Sequence, residues 1–423
     1  MTGEILLGSA IAIIVMAGCY NTALFLLSRR RIRRVRGPRQ RRLYVFLLAC
    51  LNEEKVLAES LARITSLPAG NFLALVIDDG SDDGTAEVAR AADPERVRLL
   101  QRTLPDARRG KGAALNAGIR HLRESGLLDG YDPHDVIVCV VDADGRLDEH
   151  VVQSVDPFFD NPRTGATQVG VRMYNRHQGL LARLQDMEFV IYGDIFQCAR
   201  RYIGSVGMGG NGQFMRLAAL DSLALPGQTP GETAGGPWSD SLTEDLDLGV
   251  RLIARGWTNQ HCTAAAVSQQ AVLDVRRLVR QRSRWFQGHL QSAGLVPLIL
   301  RSVPTRAAVD LLYHLSSPVL ILLTSLLPLS FLVAVAGTVI GSVEAGRALI
   351  SPMWIIGPYV LSFTAAYAYG FVYRRRERGL GLVRSILLSH VFIFYGYIWF
   401  AAGWWGLWRM LTGKQTWLKT ART

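Results

Sequence analysis

Two rhythms of apolar residues divide the chain. Residues 5–27 are almost wholly apolar, broken only by Ser9, Asn21 and Thr22. Roughly 20 such residues cross the hydrocarbon core of a bilayer as a helix. Comparable runs return near the other end, at residues 318–340, 353–372 and 386–408, and the last is rich in aromatics that include Trp404, Trp405 and Trp408. Tryptophans at the end of an apolar run suit the membrane interface. Between roughly Arg41 and Ser292 the rhythm shortens. Residues 43–49, 72–77, 97–100 and 136–141 are short runs of Val, Leu and Ile that predict strands. Amphipathic patterns at 54–66, 85–92 and 112–124 predict helices between them. Such alternation predicts an α/β domain, a mostly parallel sheet flanked by helices, joined to N- and C-terminal transmembrane helices.

Composition sharpens this picture. Of the 423 residues, 49% are hydrophobic and 19% charged, against about a quarter charged in ordinary soluble domains. That balance excludes intrinsic disorder and places part of the chain in lipid. The net charge of +12 suits nucleic acid, an anionic membrane surface or a phosphate-bearing substrate. Nine arginines from Arg29 to Arg42 follow the first apolar run. A cleavable signal peptide has its basic residues before the run. The reversed order predicts an uncleaved anchor with its N-terminus outside and the next domain in the cytosol. The arginines then grip anionic lipids at about 1 kcal/mol each. A nucleic-acid arm is the rival, disfavoured because the run abuts a span. Four spans would put the basic tail (Arg409, Lys414, Lys419, Arg422) outside. Either the last segment is re-entrant or interfacial, or the charge rule is overridden. The five cysteines are scattered without a CxxC pair, so no zinc knuckle or disulfide framework is expected.

The chemistry-bearing motifs sit at predicted strand ends, where ligands bind in open α/β sheets. Asp78-Asp79-Gly80-Ser81 ends one strand and Asp142-Ala143-Asp144 another. The first also reads as a turn and N-cap. The second puts two carboxylates one residue apart, a pattern that holds a hard divalent cation completed by substrate phosphates. Lys111, flanked by Gly110 and Gly112, opens a helix and can meet a diphosphate there. A solvated lysine is the plain alternative. Ser241 and Glu244 have the spacing of a capping box. Asp245, in the first turn of that helix, is a candidate general base. The Gly- and Pro-rich stretch 226–238 reads as a lid over the site or as a surface connection. Residues 276–288 form a basic amphipathic helix containing Gln281, Arg284 and Trp285; as a plain alternative it is an interfacial anchor.

Taken in order, these motifs resemble the membrane-embedded branch of the inverting family 2 glycosyltransferases. The likeness covers about Leu43 to Gln291 and begins at Leu51-Asn52-Glu53-Glu54. It implies a GT-A-like fold and transfer of a sugar from a nucleotide-sugar donor, with UDP as the expected carrier. The product would be a β-glycoside on a lipid or glycan acceptor. It further implies that Asn52, Glu53, Asp78, Asp79, Lys111 and Asp142 serve the donor, and that Asp142 and Asp144 bind Mg²⁺ or Mn²⁺. Asp245 would be the catalytic base, and Gln281, Arg284 and Trp285 the helix between diphosphate and acceptor. Gly209-Gly210-Asn211-Gly212-Gln213-Phe214 resembles a segment of lipid glycosyltransferases and smaller polysaccharide synthases; otherwise it reads as a turn with several positive-φ glycines. Before the Gln281 helix many relatives carry an acidic residue and a proline, where this chain has Ser268-Gln269-Gln270-Ala271.

The expected organisation is an anchor (1–28), a basic linker (29–42), a cytosolic catalytic domain (43–268), interfacial helices (269–306), membrane helices (307–410) and a basic tail (411–423). The implied setting is a multi-pass protein of the cell membrane with no nucleic-acid partner. A degenerate transferase domain serving as a membrane scaffold is the alternative from another class. The sequence leaves the sugar, the acceptor, processivity and the oligomeric state open.

Overall fold

The computed structural model describes residues 2–30, 42–68, 70–223, 236–326, 340–341 and 353–413. Most of the arginine run, most of the expected lid at 226–238, much of the apolar run 318–340 and the tail from 414 lie outside the described residues. In chain order the first elements are α1 (Thr2–Ser28), β1 (Leu43–Cys50), α2 (Glu54–Thr65), β2 (Phe72–Asp78), α3 (Thr85–Arg90), β3 (Val97–Gln101), α4 (Lys111–Glu124), β4 (Val136–Val140) and β5 (Arg146–Leu147). Then come α5 (Val151–Val155), β6 (Thr164–Met173), α6 (Leu180–Ile191), a π-helical turn (Tyr192–Gln197), α7 (Cys198–Ile203), β7 (Gln213–Arg216), α8 (Leu217–Asp221), α9 (Glu244–Ala254) and β8 (Thr258–Gln269). The remainder is helical: α10 (Val275–Gln291), α11 (Val296–Ser302), α12 (Thr305–Ser325), α13 (Met353–Arg376), α14 (Leu382–Tyr395) and α15 (Tyr397–Leu411).

The eight strands form one sheet in the order β3-β2-β1-β4-β7-β6-β8-β5. The first four are mutually parallel, as the alternating sequence predicts. Beyond β4 the sheet is mixed. Strand β7 runs antiparallel to β4 and β6, β6 is parallel to β8, and β5 is antiparallel to β8. Strand β1 is central and apolar almost throughout, as a strand covered on both faces must be. Its residues alternate between two cores. Tyr44, Phe46 and Leu48 pack with Leu57 and Leu61 of α2. Val45 and Leu47 pack with Leu115 and Ile119 of α4.

The C-terminal helices are docked onto this domain. Leu184, Met187 and Ile191 of α6 pack with Val372 and Tyr373 of α13 and Leu388 of α14. Leu246, Val250 and Ile253 of α9 pack with Leu311 and Leu315 of α12. Buried polar groups fix the register of these contacts. Asp310 of α12 accepts from Tyr20 of α1 (2.7 Å), Arg200 of α7 (3.0 Å) and Ser205 (2.7 Å). Small residues let α15 lie close on α10: a Cβ on Gly406 would stand 2.8 Å from the Ser283 carbonyl, and one on Gly403 3.0 Å from the Phe286 ring.

Some local expectations change. The apolar run 318–340 is preceded by helix: α12 starts thirteen residues earlier, at Thr305, with Pro318 inside it. The run 386–408 is two helices that meet at Gly396. Among the described residues, Thr305–Ser325 and the joined run Leu382–Leu411 are long and apolar enough to cross a membrane by length and composition. The capping box does not form. Thr243 occupies the N-cap of α9 without a side-chain cap, and the Ser241 hydroxyl instead accepts the Thr243 amide at 3.2 Å.

Candidate active site

The carboxyl ends of β1, β2 and β4 open into a cavity of about 710 Å³. One wall carries Glu53, Asp79, Lys111 and Asp142, and the middle carries Glu244 and Asp245. The far wall carries Gln281, Arg284 and Trp285 of α10. Beyond them the cavity continues between α12 and α15, past His314, Ser317, Pro318 and Ile321 on one side and Trp399 and Phe400 on the other.

The first two loops are tied together before any ligand arrives. Asn52, at φ +54, accepts the Asp82 amide at 2.8 Å through its side chain, and its own amide donates to Ser81. Asp78 is buried and accepts the Ser81 amide at 2.9 Å. Asn52 and Asp78 therefore shape the loop, while Glu53 and Asp79 reach the cavity wall. Asp79 is ion-paired with Arg102. Burial raises its carboxyl above the usual range, and Arg102 opposes the shift.

Lys111 lies at the centre. Its Nζ meets Asp142 Oδ1 at 2.6 Å and the Gly210 carbonyl at 2.6 Å. Burial alone would lower this ammonium's pKa, but Asp142, Glu244 and Asp245 outweigh it and hold the group charged. Gly210 separates Lys111 from the candidate base: a Cβ there would lie 3.3 Å from Lys111 Nζ and 3.4 Å from Asp245 Oδ2. The glycine segment thus sits between Lys111 and Asp245, and of its glycines only Gly212 has positive φ. Asn211 extends the contact, accepting the Asp142 amide at 3.1 Å and donating to Gln269 at 3.0 Å.

Asp245 Oδ1 accepts the Leu246 amide at 2.8 Å. Burial raises the Asp245 carboxyl above the ordinary aspartate value; the Leu246 amide and Lys111 pull it back. Burial and the Asp245 charge push Glu244 up to about 7. The helix N-terminus therefore does not fix Asp245 as a weakly basic carboxylate, because desolvation outweighs it and makes the group more basic. Gly288 lets α10 press on this turn, since a Cβ there would stand 2.7 Å from the Thr243 methyl.

Asp142 lines the cavity, and Asp144 is buried behind it, where its Oδ2 accepts the Gln270 amide at 3.1 Å. Among the described residues no three or more His, Cys, Asp or Glu side chains converge as a metal cage. The protein thus offers Asp142 and Asp144 as an all-oxygen pair. That set fits a hard divalent cation whose remaining ligands come from a diphosphate and water.

Several residues at this site have no motif in the sequence. Glu188 and Phe189 of α6, Tyr192 of the π-helical turn, His289 of α10, His314 and Trp399 all line the cavity. Burial lowers the His289 pKa to about 4, so it is neutral. The basic helix also divides differently from expectation. Arg276, Arg277 and Arg280 are exposed, but Arg282 is buried and paired with Glu188, so it does not face headgroups.

A model described as glycosyltransferase-like family 2 matches residues 40–288, which contain the sheet and most of this site. The chain belongs to this glycosyltransferase family. The transferase is similar to the beta-monoglucosyldiacylglycerol synthase of Trichormus variabilis, with 32% identity over 253 residues, 58% of this chain and 48% of that one. It is also similar to the poly-beta-1,6-N-acetyl-D-glucosamine synthase of Staphylococcus epidermidis, with 26% identity over 249 residues, 57% of this chain and 53% of that one. The chain spans about half the length of these curated relatives. In fold it resembles a mannosyltransferase of Pyrobaculum calidifontis solved with GDP-Man and Mn²⁺ (TM-score 0.58, 15% identity), over 93% of this chain and 97% of that one. The GT-A-like fold expected from the motifs is therefore the fold of this transferase.

Proposed function

We propose that this chain transfers a sugar, with inversion, from a nucleotide-sugar donor to a hydroxyl of a membrane-held acceptor, forming a β-glycoside. One observation carries the reading. A single cavity runs from Asp79, Lys111 and Asp142, past Asp245, to Trp285 and the walls of α12 and α15. This supports a reading in which donor and acceptor share one chamber, with Asp245 between them.

In this reading Asp245 takes the acceptor proton as the hydroxyl oxygen attacks the anomeric carbon. The bond to the diphosphate breaks on the opposite face, and its electron pair leaves with the nucleoside diphosphate. Lys111 and Arg284 stabilise the developing charge. Mg²⁺ or Mn²⁺ held by Asp142 and Asp144 supplies further positive charge there when bound. Asp79 and Glu53 orient the nucleotide end, and Gln281 and Trp285 bound the acceptor. The domain sits on the cytosolic face of a multi-pass membrane protein, with anionic headgroups against Arg276, Arg277 and Arg280.

A lipid hydroxyl is the acceptor class this reading favours, because Pro318, Ile321, Trp399 and Phe400 line the far end, on helices long and apolar enough to cross a membrane. The similarity to a glucosyldiacylglycerol synthase supports the same choice. A growing polysaccharide is the second reading, supported by the similarity to the poly-N-acetylglucosamine synthase. The test is purified protein in phosphatidylcholine bilayers with dioleoylglycerol, Mn²⁺ or Mg²⁺ and a panel of nucleotide sugars, followed by mass analysis. One sugar on the lipid is expected. A polymer ladder favours the second reading, and absence of nucleoside diphosphate release with every donor refutes both in favour of a scaffold. Trp285→Ala should raise the acceptor KM without an equal effect on the donor KM. Equal changes in both would make the ring a packing element only.

A further inference from the structure

Glu188 stands at the junction of the catalytic domain and the membrane helices. Its Oε2 accepts from Arg282 Nη2 at 2.6 Å and from the Tyr395 hydroxyl at 2.7 Å, and its Oε1 accepts from Trp399 Nε1 at 2.9 Å. One carboxylate on α6 thereby gathers α10, α14 and α15. The Arg282 side chain is 1% exposed. Its guanidinium carbon lies 4.1 Å from the centroid of the Trp285 ring, 5.3 Å from that of Trp399 and 5.7 Å from that of Phe189. Its Nε and Nη1 have no hydrogen-bond partner among the described residues. This cation is satisfied on one edge by Glu188 and otherwise by aromatic faces, an arrangement that strengthens when water is excluded. Phe189 meets Trp285 edge-on at 6.2 Å. Glu188, Phe189, Trp285 and Trp399 all line the cavity.

Arginine fits this place for a physical reason. Its planar guanidinium stacks on an indole and still pairs in its own plane with a carboxylate, which a lysine ammonium cannot do. Glu188 holds one end of the guanidinium, and the guanidinium lies over the Trp285 ring. Tyr395 and Trp399 bring the membrane helices to the same carboxylate.

We propose that Glu188 is a positioning residue for the acceptor, which through Arg282 holds the Trp285 ring as the acceptor wall and couples that wall to α14 and α15. This rests on the reading that the acceptor lies against Trp285. Glu188 itself takes no part in proton transfer. A slight displacement of the membrane helices moves Tyr395 and Trp399, and with them the wall against which the acceptor hydroxyl is aimed at Asp245.

The test uses the full chain in phosphatidylcholine bilayers with dioleoylglycerol as acceptor probe. Variants are Glu188→Gln, Arg282→Lys and the doubly neutral Glu188→Gln/Arg282→Gln, which leaves no unpaired buried charge if a single variant fails to fold. The first readout is the emission of Trp285, obtained as the difference between each protein and the same protein carrying Trp285→Phe. The expected result is a red shift and greater acrylamide quenching in all three variants. The second is a KM split, with the acceptor KM raised about tenfold, the scale of one lost directed contact, and the donor KM little changed. An unchanged Trp285 signal overturns the inference, as does an equal rise in both KM values. If Trp285→Ala leaves the acceptor KM at the wild-type value, the acceptor-wall reading itself fails, a result distinct from an unmoved Trp285 signal.

Discussion

Replacing Asp245 by Asn separates chemistry from architecture in this transferase. The carboxamide keeps an oxygen for the Leu246 amide, which Asp245 accepts at 2.8 Å, so the first turn of α9 is retained. Lys111 keeps its 2.6 Å contacts with Asp142 and the Gly210 carbonyl, so its ammonium remains paired. What is lost is the carboxylate proposed to receive the acceptor proton. A lost general base costs about 10²- to 10⁴-fold in turnover, or about 3–5 kcal/mol of barrier. The Asp245→Asn enzyme is therefore expected to have kcat reduced by at least about 100-fold, an unchanged donor KM and an unchanged melting temperature. Nucleoside diphosphate release and glycolipid formation, measured in the same bilayers over a range of donor concentrations, give both constants. If the variant loses donor affinity and keeps its turnover, Asp245 is a donor ligand and the assignment of the base is wrong.

Three further outcomes follow from the same geometry. Asp144→Asn should leave the fold intact but shift activity to much higher Mn²⁺ or Mg²⁺, because a carboxamide lacks the charge that holds a hard cation; wild-type turnover at ordinary metal after chelation and readdition would sink the metal assignment. A base works only when ionised, and burial raises the Asp245 carboxyl, so kcat should fall on acidification at a pH above the ordinary aspartate value of about 3.9; a kcat flat from neutrality down to that value contradicts the buried base. Asp310→Ala strands the buried Arg200 guanidinium and removes the acceptor of Tyr20 and Ser205, a loss of about 3–5 kcal/mol; an unchanged melting temperature in detergent would show that this pair does not clamp α1 and α12 to the domain.

The sequence by itself determined the elements that depend on local pattern. The first four strands and the helices between them follow from runs of β-branched and apolar residues and from helical spacing, and the observed bounds differ by a few residues at most. Asp79, Lys111, Asp142 and Asp245 were legible because strand ends and helix starts are where an α/β sheet presents chemistry. Local pattern does not encode the distance between those ends. Lys111 meets Gly210 across 99 residues, and Glu188 meets Trp399 across 211. Only the packed structure could show that Gly210 separates lysine from base, or that Asn52 and Asp78 hold a loop rather than face the cavity. The antiparallel β7 was likewise invisible, because a four-residue strand buried on both sides carries no period that fixes its direction. Arg282 marks the limit most clearly. In the sequence it is one of five arginines on a basic helix, indistinguishable from Arg276 or Arg280. Tertiary structure buries it where its guanidinium meets a carboxylate and three aromatic rings at once, and a charge leaves water only where such partners wait.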